Sequence, residues 1–429
     1  MHMRWRSWMT PFFTIWAGQA FSLIGSSLVQ FALVWWLTLQ TGSATVLATA
    51  ALVGTLPEVL LGPLAGACVD RWNRRLVLVL ADGIVAAVSA GLALLAWGGY
   101  LAVWHIYVAM VIRSIGGAFH WPAMQASTAL MVPKEKLTRV AALNQSMHGA
   151  LRIISPPLGA LLVGALPLHG VMAVDVGTAA LAIIPLAFIA IPQPARRGTA
   201  TTVADLLSDM RAGLMYAWRW PAIMGVIAIG MVINLFFNPS FALLPLLITR
   251  HMNGEAMGLG AANSAYGIGV VAGGLMLSIW GGLRKDVHTA LLGVAGQGLG
   301  LLIVGVSPDG ALWVVVAGMF VTGVMNVMTN GPLNGLLQRM VAPEMHGRIF
   351  TVVSSGCGAM APLGLALAGP ITDAVGLRPW YIATGIVLAV MAAAGLRMRP
   401  LMRIEDDAPH VATPAAEAEP HIAPSIEIP

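Results

Sequence analysis

Apolar positions along this chain fall into twelve continuous stretches, closed at both ends by polar connections. They run from 11 to 39, 44 to 69, 76 to 97, 102 to 131, 138 to 166 and 168 to 191, then from 221 to 249, 257 to 283, 287 to 306, 310 to 340, 347 to 375 and 378 to 398. At about 1.5 Å per helical residue each stretch is long enough to cross ~30 Å of hydrocarbon. A membrane barrel would instead show short strands of alternating hydrophobicity. The pattern therefore predicts an all-α integral membrane protein with twelve transmembrane helices. The first stretch, Pro11 to Leu39, is too long for the apolar region of a secretory signal and has no small-residue cleavage site, so no cleavable signal is expected.

The longest break divides the twelve stretches into six and six. It opens as a polar linker after Pro192 and continues with helical periodicity, Leu206, Leu207, Met210, Leu214 and Ala217 sharing one face while Asp205, Asp209 and Arg211 lie off it. Such a segment suits either a helix lying at the membrane surface or an ordinary linker helix. The expected organisation is a six-helix bundle over 1–191, a cytoplasmic linker over 192–220, a second six-helix bundle over 221–403 and a tail over 404–429. The tail is rich in Pro, Ala and acidic residues, cannot bury a core, and is expected to be disordered. The halves echo each other. Met131, Val132, Pro133, Glu135 and Arg139 between the fourth and fifth stretches match Met340, Val341, Pro343, Glu344 and Arg348 between the tenth and eleventh, and each set leads to a Pro-Leu-Gly, at Pro157 to Gly159 and Pro362 to Gly364. Two parallel six-helix repeats are one way to build a transporter.

Composition narrows the class further. Of 429 residues 58% are hydrophobic and only 10% charged, against about 25% charged in soluble domains. The 48 Gly and 26 Pro fit closely packed, kinked membrane helices. Cys68 and Cys357 both sit in apolar stretches, so neither a disulfide framework nor a metal cluster is expected. Of the 23 Lys and Arg residues, only Arg250 and Arg378 occupy one set of alternating loops, and Arg113 and Arg152 lie inside stretches. The other nineteen, from Arg4 and Arg6 through Lys134, Arg197 and Arg284 to Arg403, occupy the opposite set. The positive-inside bias then puts both termini and the middle connection in the cytoplasm, and the basic balance reports loops facing anionic lipid, with no nucleic-acid partner expected.

Joining the second and third stretches is Gly66-Ala-Cys-Val-Asp70-Arg71-Trp-Asn-Arg74-Arg75. It resembles the signature loop of the major facilitator superfamily, with Cys68 where Leu is usual and Asn73 where Gly is usual. Asn tolerates the left-handed backbone better than most residues. A carboxylate at Asp70 can cap the positive N-terminus of a neighbouring helix, and Gly66 one turn earlier allows close approach, so Gly66, Asp70, Arg71, Arg74 and Arg75 form a candidate conformational latch as well as a topology anchor. The corresponding second-half loop keeps Arg284 and Lys285 but has no matching Asp, which predicts a one-sided latch. In the fourth stretch Arg113 to Gly117 resembles the Arg-x-x-x-Gly pattern of drug:proton antiporters, and the continuation through Pro122 to Pro133 resembles their macrolide-efflux branch. Ser155 to Ala160 is a degenerate form of a further antiporter motif. The resemblance implies the major facilitator fold, two pseudo-symmetric bundles around a central cavity. It also implies that Gln19, Gln30, Trp35 and Trp36 on the first helix and Phe236, Phe237 and Asn238 on the seventh face that cavity.

Charges inside the membrane are the sharpest chemical signal, each costing roughly 2.5–3.5 kcal/mol on insertion scales unless paired or hydrated. Arg113, Glu58 and Arg152 come out near mid-depth, Asp175 closer to the outer face and Asp82 closer to the inner one. A carboxylate facing Arg in a partly dry cavity suits reversible protonation, which makes Glu58 the first proton-coupling candidate and Asp175 the second, with Arg113 and Arg152 as tuning groups. A fixed pair of Glu58 with Arg113 or Arg152 is the structural alternative. Asp82, just past the basic loop, reads as structural. Asn326, Asn330 and Asn334 repeat every four residues and suit either a cavity wall or helix packing. His105, His120 and His148 lack metal-ligand spacing, and no nucleotide-binding loop or catalytic triad is present, so no metal, cofactor or enzymatic chemistry is expected.

Together these readings predict a monomeric, multi-pass transporter of the bacterial inner membrane. Its expected partners are a small amphiphilic organic substrate, macrolide-like drugs among them, protons, and membrane lipid. Lysophospholipid or siderophore transport on the same fold is the nearest alternative, and a transport-dead membrane sensor or scaffold is the alternative of another class.

Overall fold

A computed structural model of the chain describes residues 8–69, 71–193, 211, 212, 214–341, 345–403 and 405. Twelve long helices run through the described residues. The first six are α1 Met9–Thr41, α2 Ala44–Val69, α3 Arg74–Trp97, α4 Val103–Met131, α5 Leu137–Ala165 and α6 Leu168–Phe188. The second six are α7 Pro221–His251, α8 Ala256–Trp280, α9 Asp286–Gly305, α10 Leu312–Met340, α11 His346–Val375 and α12 Leu377–Arg397, followed by the single turn α13 Arg399–Met402. Ten of the twelve are long and apolar enough to cross a membrane by length and composition alone. The other two, α4 and α5, match them in length at 29 residues each but carry Arg113, His120, Gln125, Asn144, His148 and Arg152.

Local chemistry sets the helix ends. Asn73 caps α3, its Oδ1 accepting from the Leu76 N–H at 3.2 Å. Helix α8 stops at Trp280, short of the apolar stretch ending at 283, because Gly281 and Gly282 take positive φ angles of 76° and 87°. Between the halves, Leu214 is exposed and Ala217 fully buried, whereas Asp205, Leu206, Leu207, Asp209 and Met210 lie outside the described residues. The tail expected to be disordered also lies outside them, apart from Glu405, whose carboxylate accepts from the Val287 N–H at 2.9 Å at the start of α9.

Packing within the halves follows one scheme twice. In the first half α1 packs against α5 and α6, α3 against α4 and α6, and α2 against α4. Adding six to each number gives the second half, where α7 packs against α11 and α12, α9 against α10 and α12, and α8 against α10. The two Pro-Leu-Gly segments occupy equivalent places in this scheme. Gly159 of α5 lies against the Phe31 side chain of α1, and Gly364 of α11 lies so close to the Leu235 carbonyl of α7 that a Cβ would overlap it.

Two seams join the halves, α5 with α8 and α2 with α11. Both are tight at the end of the bundle away from the termini, here called the far end. Ser264 Oγ donates to the Ile153 carbonyl at 2.7 Å, and Gly260 sits against the Pro156 carbonyl. Gly369 of α11 sits against the backbone of Thr45, and Arg250 of α7 donates to the Gly42 carbonyl. Toward the terminal end the same helices bear open positions: a Cβ added at Gly62 or Gly66 of α2, Gly149 of α5, Gly274 of α8 or Gly358 of α11 would meet nothing within 4 Å. The contacts named between the halves gather toward the far end.

Candidate functional site

Two polar layers lie one above the other inside the first half. In the upper layer Arg113 of α4 and the fully buried Asp175 of α6 form an ion pair at 2.7 Å. Ser89 of α3 sits between them: its Oγ accepts from Arg113 Nη1 at 2.7 Å and donates to Asp175 Oδ2 at 2.6 Å. Ser26 of α1 completes the layer, its Oγ donating to Asp175 Oδ1 at 3.1 Å and its carbonyl accepting from Arg113 Nη2 at 3.2 Å. Four helices thus meet on one carboxylate and one guanidinium, which satisfies both charges in a place where an unpaired one would be costly.

The lower layer lies two helical turns nearer the terminal end, about 10 Å away along the helix axes. Gln19 precedes Ser26 by seven residues, Asp82 precedes Ser89 by seven, and His120 follows Arg113 by seven, so the same three helices supply both layers. Gln19 Nε2 donates to Asp82 Oδ2 at 2.8 Å, its Oε1 lies 2.7 Å from His120 Nε2, and His120 Nε2 is 3.6 Å from Asp82 Oδ1. Asp82 therefore engages α1 and α4 inside the bundle. Gln19 and His120 also line a cavity with Trp16, Trp121, Met147 and His148. Trp16 Nε1 donates to Asn144 Oδ1 at 2.7 Å across that wall, and Trp121 meets His148 edge-on.

The remaining sequence candidates fall in several places. Glu58 is exposed on α2, and its backbone N–H donates to Ser114 Oγ at 3.2 Å, next to the Arg113 that engages Asp175. Arg152 is exposed on α5, where Gly267 of α8 lies against its backbone. Gln30 is exposed, while Trp35 and Trp36 border a pocket with Val163, Leu166 and Val171 at the far end of α1, α5 and α6. Phe236 packs near Trp380, and Phe237 near Phe241 and Tyr266. Asn238 donates to Asn234 one turn back. Asn330 and Asn334 are exposed and donate to the carbonyls of Asn326 and Asn330 in their own helix.

In the signature loop Arg71 is exposed, Arg74 Nη1 donates to the Ala126 carbonyl at 3.2 Å, and Arg75 donates to the Leu186 and Ala187 carbonyls at the end of α6. These bonds stay within the first half and place cations on the C-terminal ends of α4 and α6, where the helix dipole favours them. Asp70 lies outside the described residues. A helix cap that does bridge the halves sits at the far end: Asp373 of α11 accepts from the N–H groups of Ala44 and Thr45 at 2.8 and 2.9 Å and from Ser43 Oγ at 3.0 Å. Sequence reasoning missed this contact, and it missed Ser26 and Ser89. The seven-residue spacing from Gln19 and Asp82 would have pointed to the two serines.

Twelve membrane-length helices in two related halves, meeting at two seams that are closed at one end, define a major facilitator transporter and not an enzyme. Residues 8–425 match the family described as transmembrane secretion effectors, and the chain belongs to that family. It is similar to macrolide efflux protein A of Streptococcus pyogenes, 32% identical over 389 residues that cover 91% of this chain and 96% of that protein. It is also similar to the multidrug efflux pump Tap of Mycobacterium bovis, 27% identical over 90% of this chain and 92% of that one. The chain is thus a multi-pass efflux transporter related to macrolide and multidrug pumps. Among solved structures, a POT family transporter superposes with a TM-score of 0.72 at 11% identity, covering 92% of this chain and 96% of its own. A bacterial homologue of the iron transporter ferroportin in an inward-facing state superposes with a TM-score of 0.70 at 14% identity, covering 90% and 98%. At such identities these two share the fold.

Proposed function

We propose that this protein exports amphiphilic small molecules, macrolide-like drugs among them, from the bacterial cytoplasm in exchange for protons. The observation that carries the proposal is the buried ionisable cluster of the first half, Arg113 with Asp175 and His120 with Asp82, set against a cavity walled by Trp16, Trp121, Met147 and His148. Aromatic and methionine side chains give such a wall adaptable apolar contact, and buried titratable groups beside it supply a place for coupling. Glu58 and Arg152, exposed on α2 and α5, add charge nearby. The efflux relatives support the direction of transport.

With nineteen of the 23 basic side chains on the terminal-end loops, both termini face the cytoplasm of a cell whose inner membrane the protein spans as a monomer. The conformation described here is then open to the cytoplasm and shut outside. The halves, 1–191 and 221–403, rock about their seams as units joined by the 192–220 linker. Closing the terminal end brings Asp70, which directly follows α2, to the start of α11, where the side chain of the N-cap residue Met345 makes no capping bond. Gly66 has the room for that approach, and Arg74 and Arg75 hold the loop to its own half, with Arg71 exposed beside them.

The test is accumulation of radiolabelled erythromycin in cells expressing the chain. Lower accumulation than in empty cells, abolished by a protonophore, is expected. Export that persists without a gradient refutes antiport. Higher accumulation points to uptake, and no difference removes macrolides from the substrate range.

A further inference from the structure

The two polar layers differ in charge balance. The upper layer contains one guanidinium and one carboxylate in direct contact, and the hydroxyls of Ser26 and Ser89 add no charge. It is neutral without a mobile ion. The lower layer contains one carboxylate, Asp82, whose close polar partners are a neutral amide, Gln19, and an imidazole, His120. That layer is neutral only with one proton added, either on the imidazole or on the carboxylate, and burial of Asp82 at 6% exposure makes the uncompensated anion costly.

The other charged or titratable groups facing the pair do not supply the missing charge. Ser22 of α1 is an uncharged neighbour of Asp82. Arg113 and Asp175 lie two turns deeper and are committed to each other. Arg74, at the start of α3, donates to the Ala126 carbonyl beyond His120. His148, on α5 across the cavity wall, packs edge-on against Trp121. His120 therefore stands between the buried carboxylate and the cavity, bonded on one side and bordering the cavity on the other.

We infer that the exchangeable proton of the transport cycle resides on the His120–Asp82 pair, with Gln19 as the positioning residue and Arg113–Asp175 as a fixed charge anchor. This rests on the antiport reading and assigns its coupling site. In the cytoplasm-open state His120 faces the cavity, so a ligand entering there displaces the proton to cavity water: the N–H bond of the imidazolium breaks and the proton leaves as hydronium or to buffer. A cationic ligand takes over compensation of Asp82 directly, and a neutral one does so only if a second positive group follows. The ligand class best matched to the lower layer is thus a lipophilic amine, protonated at neutral pH.

The experiment measures proton release into weakly buffered detergent solution when erythromycin, which carries a tertiary amine, binds the purified full chain. Wild type should release protons in proportion to bound ligand. Compared at equal occupancy, His120→Gln and Asp82→Asn should each release roughly tenfold fewer protons near neutral pH, the scale of a one-unit change in protonation equilibrium, and Asp82→Asn should bind the cation more weakly. At saturating erythromycin the double variant, neutral in either state, should still exchange labelled for unlabelled ligand in proteoliposomes while losing transport driven by a pH gradient. His105→Gln, at the far start of α4, should release protons as wild type does. Wild-type-like release from both single variants, with wild-type coupling intact, places the proton elsewhere and overturns this inference alone. If wild type binds erythromycin and releases no proton, the antiport reading falls and this assignment falls with it; if wild type does not bind erythromycin, macrolides leave the substrate range and the lipophilic-amine assignment is overturned. Exchange at saturating erythromycin separates loss of coupling from loss of folding.

Discussion

The carboxylate of Asp373, in the last turn of α11, caps the first turn of α2 by accepting from the Ala44 N–H at 2.8 Å. A residue from the second half thus satisfies the orphan donors at a helix start in the first, a contact that must break for the far end to open. The arrangement is reciprocal along the chain. Helix α2 runs from the far end to the terminal end and is followed by Asp70, while α11 runs the opposite way and ends near Asp373. In the proposed latch Asp70 serves the start of α11 as Asp373 serves the start of α2.

Removing the far-end cap should therefore shift the conformational balance. Asp373→Ala is expected to destabilise the far-closed state by about 1 kcal/mol, the usual worth of an N-cap, which is roughly a fivefold shift in population. Spin-label distances across the far end, measured on the purified protein, should show a larger open fraction. An unchanged distance distribution would mean that the Gly369 and Ser264 contacts hold the gate alone.

Asp175 and Glu58 should separate sharply in their effect on folding. Asp175→Asn leaves Arg113 buried beside a neutral amide, and losing one partner of a buried pair costs about 3–5 kcal/mol. Glu58→Gln changes an exposed side chain and should stay within about 0.5 kcal/mol. Thermal unfolding in detergent measures both. Equal stability of the two variants would show that the Arg113–Asp175 bond does not hold the four helices together.

Glycine substitutions probe the seams at both ends. Gly364→Ala has no room against the Leu235 carbonyl and should reduce folded yield severely, whereas Gly66→Ala meets nothing within 4 Å in this conformation. The proposed close approach of α2 when the terminal end shuts predicts that Gly66→Ala folds normally and transports poorly. Full transport by Gly66→Ala would show that α2 has no close neighbour at that position in either state.

Topology is tested by reporter fusions. Fusions after Arg219 and Arg403 should report a cytoplasmic location and one after Arg250 an exterior one. A periplasmic signal at either of the first two positions would invert the assignment of the open end.

Much of the fold was legible because hydrophobicity is a local property: the apolar stretches predict all twelve helices to within a few residues. Where an end moved, as at Trp280, a pair of glycines with positive φ explains it. The site was legible only in part. Arg113 and Asp175 stand out because intramembrane charge is rare, but depth estimates alone make Glu58 look as near to Arg113 as Asp175 is. Rotation about the helix axis decides the matter, placing Asp175 inside and Glu58 on an exposed face. Ser26 and Ser89 were silent because a hydroxyl in a membrane helix ordinarily bonds its own backbone, as Ser27 and Thr38 do here. Asp373 reads as an outer-end carboxylate, and only the folded chain brings it to Ala44.

Inside the second half, a buried polar bond joins Gln297 Nε2 to Thr329 Oγ1 at 2.6 Å, both residues uncharged. A protein in an energised membrane sits in an electric field worth about 2.3 kcal/mol for each elementary charge carried across 100 mV. If the halves rock as units, this bond carries no net charge through that field, whereas in the proposed cycle the His120–Asp82 pair changes charge as it gains and loses a proton. The voltage dependence of transport then becomes a recording of the first half's titration, and a cationic cargo exchanged for one proton would leave that recording flat.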